Sequence, residues 1–487
     1  MWLLTTLFAI LAGLNGHNLD SMVSASLLRR ALVVAKGLPG DTAFRQDRSR
    51  VIASIAKAQA VAGDVRGAIS SMRELAPPGI GPGTLPESQL RIECLISLSQ
   101  AQAKLGKRGD SVAFARQASE LIGFPGDMSS TNLGMPYLLS TLALAREASG
   151  EVRDGEAIRQ DALQAASQLR DERARDNAIA MIAVDQASGG DVQGAISLVN
   201  TRLIGEGPWG VIKVSQVFEK IARARVRFGD FDGAVLASRK IHNLLDRTRM
   251  LIEIARQQDV RGNKAEAEKH LTSARRITEG IESGKDRVIG LLKVYAALTQ
   301  RGDVPPAKAI LDRVEQTIKA MEPVAQVTPL LALSMTSSEL GKFREAEGRL
   351  AEATRVVDEL GDEKLKRRLQ GDIDYARSAF LVYSGGDLPP DLRKSNWVLT
   401  IAIEKALSDA SRGDLEAVTR TAAIFHNDPE WATDVEHIFE ALARAGKGLG
   451  ATTLAENLPN QLVKARAFLG IASGMSDQRT VSNRRQP

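Results

Sequence analysis

The chain has 487 residues, too many for one compact core, since single hydrophobic cores stop growing at roughly 250–300 residues; several domains or a repeat array must result. Hydrophobic residues make up 44% but aromatics only 4%, and the apolar share rests on Ala, Leu, Ile and Val, which favours closely packed helices over a large sheet. The single cysteine, Cys94 in LRIECLISL, excludes an internal disulfide and a thiolate metal site, and the net charge of +5 is interspersed with acids instead of gathered with aromatics as a nucleic-acid groove requires.

The first 14 residues, MWLLTTLFAILAGL, carry no charge, and the first basic residue is Arg29. Such a run falls short of the roughly 20 residues that span a bilayer. It fits a secretory leader over residues 1–25 with small residues at Val23-Ser24-Ala25 for cleavage, so a periplasmic or secreted location is expected. Against this stand the missing basic n-region and the long polar stretch before the cleavage site; the alternative is a cytoplasmic chain whose translation starts at Met22. Residues 26–38, SLLRRALVVAKGL, read as an unpaired second helix that opens an array.

From there one pattern recurs about ten times around a short turn: Gly63, Gly106, Gly150, Gly190, Gly229, Gly262, Gly302, Gly341, Gly413 and Gly446, with spacings of 33 to 44 residues as far as Gly341. Eight residues before each Gly stands an aliphatic in nine copies, from Ile55 to Ile438, with Lys405 the exception. A small residue follows it in eight copies, among them Ala56, Ala143, Ala183, Ala222 and Ala255. Five residues after the Gly, Ala recurs in seven copies: Ala68, Ala195, Ala234, Ala267, Ala307, Ala346 and Ala451. Each Gly ends a run of helix formers, where a left-handed residue commonly closes a helix. The Asp or Asn after it, as at Asp64, Asp191, Asp230, Asn263, Asp303 and Asp414, is placed to cap the next helix. Pro305 and Pro306 fall in the first turn of such a second helix, where no N–H is needed. The recurrent Ala marks the close crossing of the two helices, and no segment alternates as a strand would.

These residues resemble the tetratricopeptide-repeat-like helical solenoids. The Ile221-Ala222 pair, the turn at Gly229-Asp230 and the small Ala234 match in spacing that superfamily's Leu-Gly pair, its turn and its second-helix Ala, and the resemblance runs over most of residues 40–460. In place of the family's aromatic four residues before the turn stand Gln59, Gln102, Arg146, Gln186 and Arg225, and most copies lack the terminal Pro. The resemblance implies an all-α solenoid of antiparallel hairpins, whose first helices line a concave groove for proteins or peptides. The partner-contacting candidates it implies are Gln186, Arg223, Arg225, Gln257 and Gln258.

The organisation expected is a leader (1–25), an N-terminal array (26–360), a C-terminal continuation (361–475) and a disordered polar tail (476–487), with longer loops at 76–88 and 123–136. Between Gly341 and Gly413 the pattern is lost for one unit, a seam that divides the array.

Catalytic constellations are few. His426 and His437, with Asp428, Glu430 or Asp434, form the one cluster able to bind a metal and mark the alternative reading, an enzyme or metal-dependent accessory; Asp428-Pro429 reads more simply as a helix start. Ser54 and Lys57 match S-x-x-K without its companion motifs, and the glycines at 78–83 and 446–450 read as turns. The basic run KLKRR (364–368) reads as a solvated helix face, and Trp209 as a loop aromatic over a repeat interface. A non-enzymatic scaffold for a protein or peptide partner, without cofactor, metal, specific nucleic acid or transmembrane span, is the function expected.

Overall fold

The computed structural model describes residues 16–38, 45–75, 85–122, 134–203, 207–389, 395–422, 424 and 431–483. Among them are 23 α-helices and no strand, and the fold is an all-α array of helix hairpins. In chain order, α1 (Gly16–Lys36) stands alone before the pairs α2 (Arg45–Val61) and α3 (Val65–Arg73), α4 (Leu85–Lys104) and α5 (Arg108–Ile122), and α6 (Gly134–Ala148) and α7 (Val152–Ser167). There follow α8 (Glu172–Ser188) with α9 (Val192–Arg202), α10 (Gly207–Phe228) with α11 (Phe231–Ser238), α12 (Leu244–Val260) with α13 (Lys264–Glu279), α14 (Gly284–Arg301) with α15 (Val304–Lys319), α16 (Pro323–Glu339) with α17 (Phe343–Asp358), and the long α18 (Glu363–Ser384). The last are α19 (Asn396–Ser411) with α20 (Leu415–Ala422), α21 (Ala432–Arg444) with α22 (Gly448–Glu456), and α23 (Gln461–Asn483). Two compact units divide the chain: residues up to Ala165 together with those from Leu399, and residues Ala166–Val398.

All ten predicted turn glycines lie between a first and a second helix with φ from +73° to +114°. At each, the N–H after the Gly donates to the carbonyl of the residue four before it, as Asp64 does to Gln59 (2.8 Å), Asp230 to Arg225 (3.0 Å) and Lys447 to Leu442 (3.0 Å). Only a left-handed residue lets the chain fold back onto that carbonyl. Gly385, with φ +74°, closes α18 by the same bond, Gly386 to Leu381 (2.9 Å), so the seam keeps its turn but no second helix follows it among the described residues.

The second helices are capped as expected by Asp64, Asp191 and Asp230, each accepting at 2.8 Å from the N–H three residues on, and by Asp414 at 3.0 Å. Asn263 and Asp303 differ. Asn263 donates instead to the Gln258 side chain (2.8 Å), and Asp303 pairs with Arg301 (3.2 Å). Pro305 and Pro306 occupy the first turn of α15.

The nine aliphatics eight residues before each Gly are buried to 2% exposure or less. The small residues beside them meet the residue five after the turn. Ser111 Oγ donates to the Ser99 carbonyl (2.7 Å), and Ser334 Oγ donates to the Ala346 carbonyl (2.7 Å). At Gly155 a Cβ would press on the carbonyl of Ala143 at 2.9 Å, which shows how little room the crossing leaves. From this crossing a second helix buries every third or fourth residue, as in Ala267, Leu271, Ala274 and Thr278, or Ala346, Leu350, Ala353 and Val357.

Helix α1 repeats that spacing with Ser24, Leu28, Ala31 and Ala35, all buried, and it packs along α23. Ser24 Oγ donates to the carbonyl of Ala472 at 3.2 Å, the bond that Ser111 makes to Ser99 within a covalent hairpin. Ile471 and Ala472 hold the buried aliphatic-small pair of a first helix. The unpaired second helix expected at the start of the chain therefore completes an unpaired first helix at its end. Within the first unit, α21–α22, α23–α1 and α2–α3 follow one another as successive hairpins. Gly470 and Gly474 face the backbone of α21, where a Cβ would be driven into the carbonyls of Glu436 and Glu440. That spacing lets α23 lie directly against α21.

Several boundaries differ from the sequence reading. The first helix starts at Gly16, so residues 23–25 lie inside it and Ser24 is fully buried, while residues 1–15 fall outside the described residues. Helices begin at Leu85 and Gly134, inside the loops expected at 76–88 and 123–136. Trp209 falls in the first turn of α10 rather than in a loop. The polar tail is helical as far as Asn483, as a continuation of α23.

Candidate functional site

First helices pack on the first helices of neighbouring hairpins far more than second helices pack on second helices, which sets the first-helix face on the tighter side of each unit. In four hairpins the residue four before the Gly clasps the turn. Gln186 Nε2 donates to Asp191 (2.7 Å), Arg225 pairs with Asp230 through Nε (2.8 Å) and Nη2 (2.7 Å), Arg146 pairs with Glu151 (2.5 Å), and Gln258 accepts from Asn263. Gln59 accepts instead from Ser71 on the second helix (2.7 Å). The polar pair replaces the apolar contact that usually accompanies this helix ending. Arg225 also reaches the carbonyl of Ala187 in the preceding hairpin (2.7 Å), joining two repeats. The backbone N–H of Gly233 and the Arg225 guanidinium outweigh the burial that opposes them and hold the Asp230 carboxyl below its ordinary range.

Of the five candidate contact residues, Gln186, Arg225 and Gln258 thus have their polar atoms engaged in the turn, and Gln258 is buried. Arg223 and Gln257 are exposed. Arg223 donates to Glu219 on its own helix (2.8 Å) and lies 3.6 Å from Glu253 on α12. Sequence reasoning missed Arg256, exposed on α12 and donating to Gln300 of α14 at 2.8 Å, though it stands six residues before its Gly just as Arg223 does. KLKRR begins α18, with Lys364, Arg367 and Arg368 exposed.

In the first unit the same face holds a pocket of about 300 Å³ between α2, α21 and α23. Ser54 and Lys57 both line it. Lys57 Nζ donates to Glu93 at 2.9 Å; burial pulls its pKa down, but the charge and hydrogen bond of Glu93 leave it raised. A lysine that keeps its proton cannot serve Ser54 as a base. Cys94 is buried against the Ala53 carbonyl, and burial pushes its thiol up to about 12. His426, Asp428, Pro429 and Glu430 lie outside the described residues; His437 and Asp434 sit on α21. Among the described residues no group of three or more His, Cys, Asp or Glu is placed to hold a metal ion, and no helix is long and apolar enough to cross a membrane.

The fold defines an α-helical repeat protein. No family model matches the chain, and no curated protein matches it. Among solved structures it is similar to Ton1535 from Thermococcus onnurineus NA1, at 14% identity over 71% of this chain and 94% of that one, with a TM-score of 0.29. It is also similar to a circular tandem repeat protein with novel repeat topology, at 14% identity over 96% of this chain and 97% of that one, with a TM-score of 0.19.

Proposed function

We propose that the chain is a non-enzymatic scaffold of tetratricopeptide-repeat-like hairpins that binds a protein or peptide partner along its first-helix face. One observation carries this reading: packing dictates the turn and the crossing in hairpin after hairpin, while first-helix residues between them vary, the position of the exposed Gln257 holding Ala224 in the preceding hairpin and Asp185 in the one before that. A surface of that kind reads an extended or helical partner through a few side chains per repeat. Of the basic residues on it, Arg223 is bridged to Glu219 and Arg256 is held by the Gln300 amide, so recognition rests on hydrogen bonds and shape more than on net charge.

The test is affinity capture with the intact chain from its native host, beside Arg223→Glu with Gln257→Glu. The reading expects a discrete set of captured proteins that the double variant loses while its circular dichroism and unfolding midpoint stay unchanged. Capture of nothing by the wild type, or of the same set by both forms, contradicts it.

A further inference from the structure

We propose that the first unit seats on an anionic lipid surface by its glycine-turn edge, with the apolar residues 1–14 entering the bilayer from that same edge. This edge is separate from the first-helix face, so the proposal stands apart from the scaffold reading.

Both ends of the chain leave the unit there. In the hairpin α4–α5, Ser111 stands five residues after Gly106 and donates to the carbonyl of Ser99, seven residues before that Gly. Ser24 makes the same bond to Ala472, so the counterpart of a glycine turn lies five residues before Ser24 and seven after Ala472. Helix α1 therefore begins at the turn edge with Gly16, and α23 reaches that edge before it ends at Asn483. The run MWLLTTLFAILAGL is attached at the first of these points, and Arg484 and Arg485 follow the second.

On the turns to either side, large aliphatic side chains stand in the open. Leu449 is 86% exposed, Val61 59%, Leu105 53% and Val152 62%, and each lies within three residues of its turn glycine. Neighbouring turns touch: a Cβ on Gly63 would lie 3.8 Å from Leu105 Cδ1, and one on Gly150 would lie 3.6 Å from the guanidinium carbon of Arg108. Exposed Arg66, Lys107, Arg108, Arg153 and Lys447 are interleaved with these aliphatics, and none of the five is paired with an acid among the described residues. Of the acids on the same turns, Asp64 is spent on capping α3 (2.8 Å) and Glu151 on Arg146 (2.5 Å), which leaves Asp110 and Asp154. Free positive charge is therefore in excess. In the second unit Lys342 occupies the position of Lys107 and Lys447 but donates to the Tyr295 hydroxyl (2.8 Å).

The shape of the edge selects a lipid surface over a peptide. A peptide needs a groove or pocket to bury its side chains. Here nothing lies within 4 Å of a Cβ added at Gly106 or Gly446, and the aliphatics project from the turns. Projecting apolar tips beside unpaired Lys and Arg suit a bilayer interface, which takes the aliphatics below the headgroups and pairs the cations with anionic lipid. The 14 apolar residues add a second anchor. As a helix they would reach about 21 Å, too short for the hydrocarbon core of about 30 Å but longer than one leaflet of it. An apolar segment and a basic patch together supply the two signals that stable membrane attachment requires.

The experiment sediments the full-length chain, its N-terminus verified by mass, with vesicles of phosphatidylcholine alone and with vesicles in which phosphatidylglycerol replaces a quarter of that lipid. Expected is binding to the anionic vesicles about tenfold tighter than to the neutral ones. Arg66→Glu with Lys107→Glu and Arg108→Glu should weaken anionic binding by about tenfold or more, with circular dichroism unchanged. Leu7→Asp with Leu11→Asp should weaken binding to both kinds of vesicle. Arg227→Glu with Lys264→Glu and Arg344→Glu makes the same change of charge on turns of the second unit and should leave binding within about twofold. No binding of the wild type to anionic vesicles, equal binding of the wild type and the first-unit variant, or equal weakening by reversal in either unit overturns the proposal. Protein capture through Arg223 and Gln257 is read without vesicles, so failure here leaves the scaffold reading standing.

Discussion

Ser24 Oγ donates to the carbonyl of Ala472 across 448 residues, and the bond repeats within the register of an ordinary hairpin what Ser111 does to Ser99 across 12. The two ends of the chain therefore share one repeat and are held by packing that the chain's own connectivity does not enforce. A further ion pair, Arg30 with Glu456 at 2.5 Å, joins α1 to the segment before α23, but both partners are half-exposed and such pairs contribute little.

The contact of α23 with α21 depends on Gly470 and Gly474. A methyl group at either position meets backbone carbonyls that cannot swing aside as a side chain can. Gly474→Ala should lower stability by about 1–3 kcal/mol and Gly470→Ala by at least as much, read from urea unfolding. Neutral behaviour of both would mean that the helices lie further apart.

Turn glycines separate two costs. Gly302 has φ +88° and nothing within 4 Å of an added Cβ, so Gly302→Ala should cost only backbone strain, about 1–2 kcal/mol. At Gly229 an added Cβ would also displace the Arg261 guanidinium, which lies over the Phe231 ring at 4.9 Å. Gly229→Ala should therefore cost more than Gly302→Ala in the same thermal melt, and the reverse order would count against the assigned turn.

The turn at Gly106 has no clasp. Gln102 is fully buried with neither amide atom bonded, and Lys107 stands where five other repeats place an Asp. Lys107→Asp supplies both a partner for Gln102 and a cap for α5, and stability should rise by about 1 kcal/mol. A fall in the unfolding midpoint would show that Lys107 has a role of its own.

Asp230 links the clasp to pH. Its folded pKa is depressed below the unfolded value near 3.9, so its contribution is present above that value and is lost as pH falls through the folded one. Wild type should exceed Asp230→Asn in stability at pH 7, with the gap narrowing as pH falls below the unfolded value. A gap independent of pH would show that the Asp230 charge adds nothing to either the cap or the clasp.

The glycine turns were legible because one local requirement, a left-handed residue after a helix, admits few residues other than Gly, and all ten assigned positions carry it. Columns of buried aliphatics followed from the same alignment. Gly385 escaped notice because Gly386 and the prolines after it hid the turn, and the spacing to the next second helix is broken there. Closure of the chain on itself was not legible, since pairing of α1 with α23 is wholly non-local. Its trace was nonetheless present: Ser24, Leu28, Ala31 and Ala35 share the spacing of Ala267, Leu271, Ala274 and Thr278, and Ile471-Ala472 repeats Ile221-Ala222. Arg225, Gln186 and Gln258 looked like surface contacts because a polar residue on a first helix gives no sign that its partner is five residues away around a turn.

Closure itself is tested most directly by Ser24→Cys with Ala472→Cys in a Cys94→Ser background. Side-chain oxygens of the equivalent pair Ser99 and Ser111 lie 3.1 Å apart, close enough for a disulfide at the matching positions. Mild oxidation followed by peptide mapping and urea unfolding should show one disulfide within a single chain and a gain on the order of 3 kcal/mol. Thiols that stay free under oxidant, or that pair only between two chains, would contradict an array whose last repeat is built from both of its ends.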